Sequence, residues 1–378
     1  MASIEAVQRL GQSIWYDNIS RELLLSGEIE NLINMGVTGL TSNPTIFEKA
    51  ISGSTHYDKA LSALASEGLN AKDSYEKLAM EDIRSAADLL RPAYDRTKGH
   101  DGYASLEVSP TLAHDTEDTI AEALRLFAAL DRPNTLIKVP ATAEGIHAVR
   151  RLIGHGININ VTLIFSLEAH RQVMEAYIAG LEDLAKSGGD LSKVASVASF
   201  FVSRVDTTVD NFLGERSSQG KPETDALMGK AAIANAKLAY QSFKTIFSSS
   251  RFAALKAKGA HVQRPLWAST GTKNSAYSDV LYVDNLIGQD TVNTMPPTTL
   301  TAFMEHGKAQ ATLEQDMTSA EHTMDSLKAA GISIEKVTDK LLIDGIKSFA
   351  DSFDQLIANV EEKKALLIAS GDENLTPA

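Results

Sequence analysis

Cysteine is absent from all 378 positions, which removes disulfides, zinc–thiolate sites, iron–sulfur clusters and a thiol nucleophile together. No window approaches the roughly 18 consecutive apolar residues of a membrane span, so no membrane partner is expected. The opening segment, Met1 to Leu10, reads as a short amphipathic helix and not as a signal peptide, which points to a cytoplasmic protein. Positive charge is scarce as well. There are 36 basic residues against 49 acidic ones, a net charge of −13, and the basic residues do not cluster. That balance argues against nucleic acid as a partner. It also requires that an anionic substrate find a local positive pocket within an unfavourable overall field. The nine histidines are dispersed, with no His-x-x-x-His and no carboxylate at metal-ligand spacing, so no metal is expected. Gly271-Thr-Lys273 lacks the spaced glycine of a P-loop. No Gly-x-Gly-x-x-Gly follows a strand and no Gly-x-Ser-x-Gly elbow occurs, so no cofactor is expected. Internal repeats and low-complexity tracts are missing too.

What is present is a 43% apolar chain, enough for a sizeable core, in which short apolar runs alternate with helical patterns. Candidate strands are Ser13–Asn18, Thr38–Asn43, Tyr103–Val108, Thr135–Val139, Asn158–Phe165, Val194–Val202, Pro265–Ser269 and Val292–Met295. Thr116 is the expected cap of a helix carrying Ile120, Leu124 and Phe127; Ile146, Val149 and Ile153 repeat the spacing before Gly154. Ser166 opens a longer helix with Val173, Tyr177, Leu181 and Leu184 on one face, closed by Gly188-Gly189. Eight such strands predict an α/β fold, a closed (β/α)₈ TIM-type barrel, with an open doubly wound sheet as the competitor. The run from 157 to 165 favours the barrel. It alternates, with Asn158, Asn160 and Thr162 on one face and Ile157, Ile159, Val161, Leu163 and Phe165 on the other. A central strand of an open parallel sheet would be apolar on both faces. The excess over a barrel's roughly 250 residues falls in helices between strands 2 and 3, about residues 56–98, and in a helical C-terminal extension, about 299–372. The chain is expected to form a single domain over residues 1–378.

Reading the C-terminal strand ends in order gives Asp17, Asn43, Glu107, Lys138, Asn160 with Thr162, Ser199 to Arg204, then Ser269 and Lys273. Barrels carry their reactive groups at that end. A lysine inside the buried run Thr135-Leu-Ile-Lys138-Val-Pro140 is rare because its charge is costly to desolvate. Apolar walls from Leu136, Ile137 and Val139, with cations nearby, are expected to favour the neutral amine, the form that attacks a carbonyl. The resulting iminium is an electron sink, so the adjacent C–C bond can break while a carboxylate takes the hydroxyl proton; a second carboxylate and a hydroxyl relay protons for the departing water. Each residue has a bland reading. Asp17 could be a helix cap, Asn43-Pro44 a turn, Glu107 a surface ion-pair partner, Lys138 a snorkelling side chain, and Arg204 and Lys273 solvated charges. Their coincidence at one end of successive strands favours a Schiff-base site of the class I aldolase type acting on a sugar phosphate.

Five blocks carry a resemblance: Thr41-Ser-Asn43-Pro-Thr-Ile-Phe47, Leu106-Glu107-Val-Ser-Pro110, Leu136-Ile-Lys138-Val-Pro-Ala-Thr142, Asn158-Ile-Asn160-Val-Thr162-Leu-Ile-Phe165 and Ser199-Phe-Phe-Val-Ser-Arg204-Val-Asp206. In this order, over roughly residues 10 to 300, they resemble the signature blocks of the transaldolase family. The chain length and Trp267-Ala-Ser269-Thr-Gly-Thr-Lys273 look most like its longer bacterial subfamily. The resemblance implies transfer of a dihydroxyacetone unit in the non-oxidative pentose phosphate pathway. Sedoheptulose 7-phosphate or fructose 6-phosphate would donate it, and glyceraldehyde 3-phosphate or erythrose 4-phosphate would accept it. It implies Lys138 as the Schiff-base lysine and Asp17 as general acid/base at the C4 hydroxyl. Glu107 and Thr162 would hold the catalytic water, and Asn43 and Asn160 the hydroxyls of the dihydroxyacetone part. Arg204 with Ser269, supported by Ser199, would grip the phosphate. One departure stands out. Shorter transaldolases carry an arginine just after the strand-seven serine, whereas here the nearest cation is Lys273, a point charge and not a bidentate fork.

Two rivals remain at this stage. One is an aldolase-like lyase that releases free dihydroxyacetone, as the related fructose 6-phosphate aldolases do; these look shorter and typically lack a glutamate at the place of Glu107. The other is a non-catalytic sugar-phosphate binding barrel, which would not need Lys138, Asp17 and Glu107 together. A fused sugar-phosphate isomerase is not expected, the chain ending at Ala378. Monomer and homodimer are both compatible with the sequence.

Overall fold

The strands that make the barrel are short, and all eight are buried along nearly their whole length. The computed structural model describes residues 3–218 and 222–373, so residues 1, 2, 219–221 and 374–378 of the expected single domain lie outside it. Strands β1 (Gln12–Tyr16), β2 (Gly39–Thr41), β3 (Tyr103–Glu107), β4 (Thr135–Pro140), β5 (Ile159–Ile164), β6 (Ser196–Phe201), β7 (Arg264–Ala268) and β8 (Thr291–Met295) pair in parallel in chain order. The sheet closes through β1 and β8, with Gln12 opposite Thr291 and Tyr16 opposite Met295. This is the (β/α)₈ barrel, and the open sheet is ruled out. No helix among the described residues is long and apolar enough to cross a membrane.

Local chemistry explains where elements begin. Ser166 caps the helix Leu167–Lys186 by accepting from the Ala169 amide at 3.0 Å, and Gly188 just beyond it adopts φ +80. The cap expected at Thr116 is displaced by one residue. Asp115 accepts from the Asp118 amide at 2.9 Å and Thr116 is the first helical residue, its hydroxyl donating instead to the Glu144 carbonyl. Between β2 and β3 stand the helices Pro44–Ser52, Asp58–Ser66 and Ala71–Thr97; after β8 come Pro297–His306, Met317–Ala329 and Ile334–Glu373.

At the N-terminal end the lumen is closed by a buried polar cluster. Asp101 accepts from Trp15 Nε1 at 2.8 Å and from Thr38 Oγ1 at 2.7 Å, and Arg264 donates to Ser13 Oγ at 2.7 Å. A cavity is lined at the opposite, C-terminal strand ends.

The strict alternation expected from 157 to 165 fails at one place. Val161 lies opposite Ala198, but Ile164 lies opposite Phe200, so β5 carries one extra residue. Leu163 takes it up in the left-handed region, φ +58. Its side chain leaves the regular face and meets the C-terminal helix, where Gly345 leaves room for it. Bulges re-aim neighbouring side chains beside active sites, and the neighbour here is Thr162.

Candidate active site

Parallel register sets the reactive groups side by side. Glu107 at the end of β3 lies opposite Lys138 on β4, and Lys138 opposite Asn160 on β5. Lys138 Nζ is 3.1 Å from Glu107 Oε2 and donates to the Ser42 carbonyl at 2.8 Å. Both side chains are only 5–6% exposed. This revises the expected environment: the polar neighbours of Lys138 are a carboxylate and a carbonyl, not cations. Burial pushes the Glu107 carboxyl above its ordinary value; Lys138 opposes the shift and the charge of Asp17 adds to it. A carboxyl that holds its proton readily, in contact with the amine, lets one proton pass between them without creating net charge in a buried place.

Asp17 follows β1, and its amide continues the ladder to the Met295 carbonyl at 2.8 Å. Its carboxylate accepts from Thr41 Oγ1 at 2.6 Å, and that hydroxyl lies 2.6 Å from Thr294 Oγ1. Burial pushes the Asp17 carboxyl up, against the Thr41 hydrogen bond and the charges of Lys138, Arg204 and Lys273. An acid/base with a raised pKa works closer to neutral pH.

Eight of the ten residues singled out by sequence (Asp17, Asn43, Lys138, Thr162, Ser199, Arg204, Ser269 and Lys273) line one cavity of about 630 Å³ empty volume. Glu107 and Asn160 stand behind its wall. Asn160 is fully buried, donates to Ser105 Oγ at 3.2 Å and accepts from Ser199 Oγ at 2.6 Å. Thr162 Oγ1 is buried with no hydrogen-bond partner among the described residues, and the residue lines the cavity. Asn43 fulfils its bland reading as well: Oδ1 caps the helix Pro44–Ser52 at Ile46, yet the residue also lines the site.

The mouth is positive. Arg204, in the first turn of the helix Ser203–Ser218, is half-buried over the Phe201 ring at 5.3 Å, and Lys273 is exposed at the rim. Neither forms an ion pair or hydrogen bond among the described residues. Desolvation lowers the pKa of Arg204, and Asp17 opposes this. Ser269 sits beside them at φ +55, its hydroxyl 3.0 Å from Ser203 Oγ. Two cations with no ion-pair partner among the described residues, their nearest counter-charge being Asp17 deeper in the cavity, can together hold an anion.

Sequence reasoning missed four contributors. Ser42 offers a carbonyl, which no side-chain pattern reveals. Thr41 brings its hydroxyl to Asp17 from β2, and Thr294 on β8 contacts that hydroxyl in turn. Phe349, on the C-terminal helix, lines the cavity with its ring 6.0 Å from Lys138 Nζ.

The arrangement can form an imine at Lys138, move protons through Glu107 and Asp17, and hold a phosphate at the mouth. Comparison with known proteins agrees in kind. The profile described as Transaldolase/Fructose-6-phosphate aldolase matches residues 14–360. A protein of Trichodesmium erythraeum named transaldolase is 48% identical over 365 residues, covering 94% of this chain and 96% of its own length. One of Saccharopolyspora erythraea with the same name is 48% identical over 364 residues, covering 96% and 98%. A third, from Mycolicibacterium smegmatis, is 47% identical over 357 residues, covering 94% and 95%. The chain belongs to the transaldolase/fructose-6-phosphate aldolase family.

Proposed function

We propose that the protein is a transaldolase, a Schiff-base transferase that moves a dihydroxyacetone unit from a ketose phosphate to an aldose phosphate. The observation that carries this reading is the buried Lys138–Glu107 contact at 3.1 Å, in a cavity also lined by Arg204 and Lys273, which form no ion pair among the described residues.

The steps follow from the groups present. Glu107 takes a proton from Lys138, and the neutral amine adds to the donor's C2 carbonyl. Glu107 and Thr162 hold the water formed as the carbinolamine collapses to the iminium. Asp17, held by Thr41 at 2.6 Å, removes the C4 hydroxyl proton. The C3–C4 bond breaks, its electron pair passes to the iminium, and the aldose phosphate departs. The enamine left on Lys138 attacks the acceptor aldehyde while Asp17 returns the proton to the new hydroxyl. Water then frees the ketose. Asn43 and the remaining amide hydrogen of Asn160, with Ser199 behind it, hold the hydroxyls of the three-carbon unit, while Arg204, Ser269 and Lys273 hold the phosphate. Donors are sedoheptulose 7-phosphate and fructose 6-phosphate; acceptors are glyceraldehyde 3-phosphate and erythrose 4-phosphate. Every one of these residues comes from one chain, so the reading requires no partner subunit and fits monomer or homodimer in the cytoplasm.

Incubation with fructose 6-phosphate, borohydride reduction and peptide mapping test the reading. A dihydroxyacetone-sized adduct on Lys138 is expected; a folded protein with no adduct on any lysine would return the case to a binding barrel. Dihydroxyacetone release without acceptor, at a rate comparable to transfer, would instead make it a lyase.

A further inference from the structure

Phe349 reaches the site from outside the eight strands and their connecting helices. It is 5% exposed, lines the cavity, and stacks its ring 6.0 Å from Lys138 Nζ. The other aromatic in the lining, Phe201, is covered by Arg204 at 5.3 Å. Most of the remaining lining is polar, so Phe349 supplies a large apolar surface at the reacting nitrogen.

The helix Ile334–Glu373 is not loosely laid across the mouth. Thr45 Oγ1 donates to Ser352 Oγ at 2.9 Å, and Asn359 Nδ2 donates to Glu48 Oε1 at 2.8 Å and Ser52 Oγ at 2.9 Å. Lys363 pairs with Asp58 at 2.7 Å, and the Phe353 ring meets Tyr75 at 5.9 Å. These ties run to the helix Pro44–Ser52 and the segment after it. Asn43 caps that same helix, and the Ser42 carbonyl before it accepts from Lys138. One rigid connection therefore fixes both the lysine's acceptor and the ring above it.

An enamine on Lys138 has two fates. In transfer, its C3 attacks the acceptor aldehyde, a C–C bond forms, and the aldehyde oxygen takes the proton held by Asp17. In leakage, C3 takes a proton instead; water then adds to the iminium carbon, the C–N bond breaks, and dihydroxyacetone leaves with the amine restored. Atoms balance in both, but only leakage needs a water at the iminium before any acceptor has bonded.

Resting on the Schiff-base reading above, we propose that Phe349 is a specificity-determining residue: its ring keeps bulk water from the covalent intermediate at Lys138, leaving only the one water held by Glu107 and Thr162, and so commits the three-carbon unit to transfer. Displacing water from a closed site also strengthens the electrostatic contacts inside it. The arrangement makes the C-terminal extension part of the catalytic device and not only a packing element.

The test counts dihydroxyacetone released and seven-carbon ketose phosphate formed in one reaction with fructose 6-phosphate and erythrose 4-phosphate. Their ratio is internal to each enzyme, so it does not depend on how much of the sample is folded. Phe349→Ala is expected to raise the ratio about tenfold, and Phe349→Leu, which keeps apolar bulk, by less than about threefold. If Phe349→Ala does not fold, Phe349→Val takes its place, and the ratio must still rise as the side chain shrinks. A series flat to within twofold overturns the proposal. Borohydride trapping of the wild-type protein separates the two readings. An adduct on Lys138 with a flat series removes only the role of Phe349, whereas no adduct removes the Schiff base itself.

Discussion

Single residues divide by whether they touch protons or phosphate, and kinetics tells the two apart. Glu107 has a raised pKa because it is buried, and among the described residues its ion-pair partner is Lys138. Glu107→Gln keeps the shape and removes the proton acceptor. Loss of a proton-transfer group of this kind lowers kcat by about 10²-fold or more, with KM nearly constant. The trapped adduct should accumulate correspondingly more slowly; a kcat within threefold of wild type would remove Glu107 from the mechanism. Lys273 is the opposite case. It is exposed and near enough to Asp17 for its charge to be felt, and in its proposed role as a phosphate partner it would contribute to binding and not to bond-breaking. Lys273→Ala should raise KM for phosphorylated donors several-fold, as loss of a charge-assisted contact does, and leave unphosphorylated ketoses little affected. Equal losses for both donors would return Lys273 to the solvated surface.

Elements decide what could be read in advance. All eight strands were legible, because short apolar or alternating runs bounded by polar turns leave few other folds for a chain of this length, and the register of a parallel barrel then forces Glu107 beside Lys138. The Ser166 cap was legible because a serine before a long amphipathic run has a local function. Thr116 was misread by one position because Asp115 offers the same local hydrogen bond. Two features were not legible. Leu163 adopts φ +58, a conformation that leucine carries only when surrounding packing imposes it. Phe349 lies about 200 residues from Lys138, and with Phe353 four positions on it reads as the core face of an amphipathic helix. Leu163 meets the C-terminal helix at Gly345, four positions before Phe349. A Cβ there would lie 3.0 Å from Leu163 Cδ2 and 3.7 Å from Arg204 Nη1. Gly345→Leu must therefore lift the C-terminal helix from the mouth. The expected result is a loss of roughly 1–3 kcal/mol of stability, the usual range for overpacking, together with a raised KM for sugar phosphates through Arg204. Thermal unfolding and steady-state kinetics on one preparation check both; unchanged KM would mean that the helix seat and the phosphate site are independent.

At the scale of the whole molecule, buried titratable groups tie the stability of the fold to pH, and they pull in opposite directions. Asp206 accepts from the Ala232 amide at 2.7 Å and from Tyr282 at 3.0 Å, yet burial pushes its carboxyl up to about 6. The folded chain therefore binds that proton first, and this group adds stability as pH falls. His170 does the reverse. It is fully buried on the helix Leu167–Lys186, its ring edge-on to Phe200 at 5.5 Å, with neither ring nitrogen hydrogen-bonded among the described residues, and burial pulls it down to about 4. An unfolded chain protonates this histidine near its ordinary value of 6.5, while the folded chain resists until about 4. Between those values the unfolded state holds more protons, so stability is lost as pH falls, by roughly 2 kcal/mol between pH 7.5 and 5. The carboxyl contributions mask that loss in the wild-type curve, and a difference between two proteins removes the mask. His170→Leu keeps an apolar group of similar reach and cannot titrate, while Asp206, Asp17 and Glu107 stay in place and cancel. Urea unfolding of both proteins at the two pH values should show the variant gaining about 2 kcal/mol on wild type at the lower pH. A difference that does not change with pH would mean that His170 takes up its proton in the folded state, and that the seam between this helix and β6 admits water.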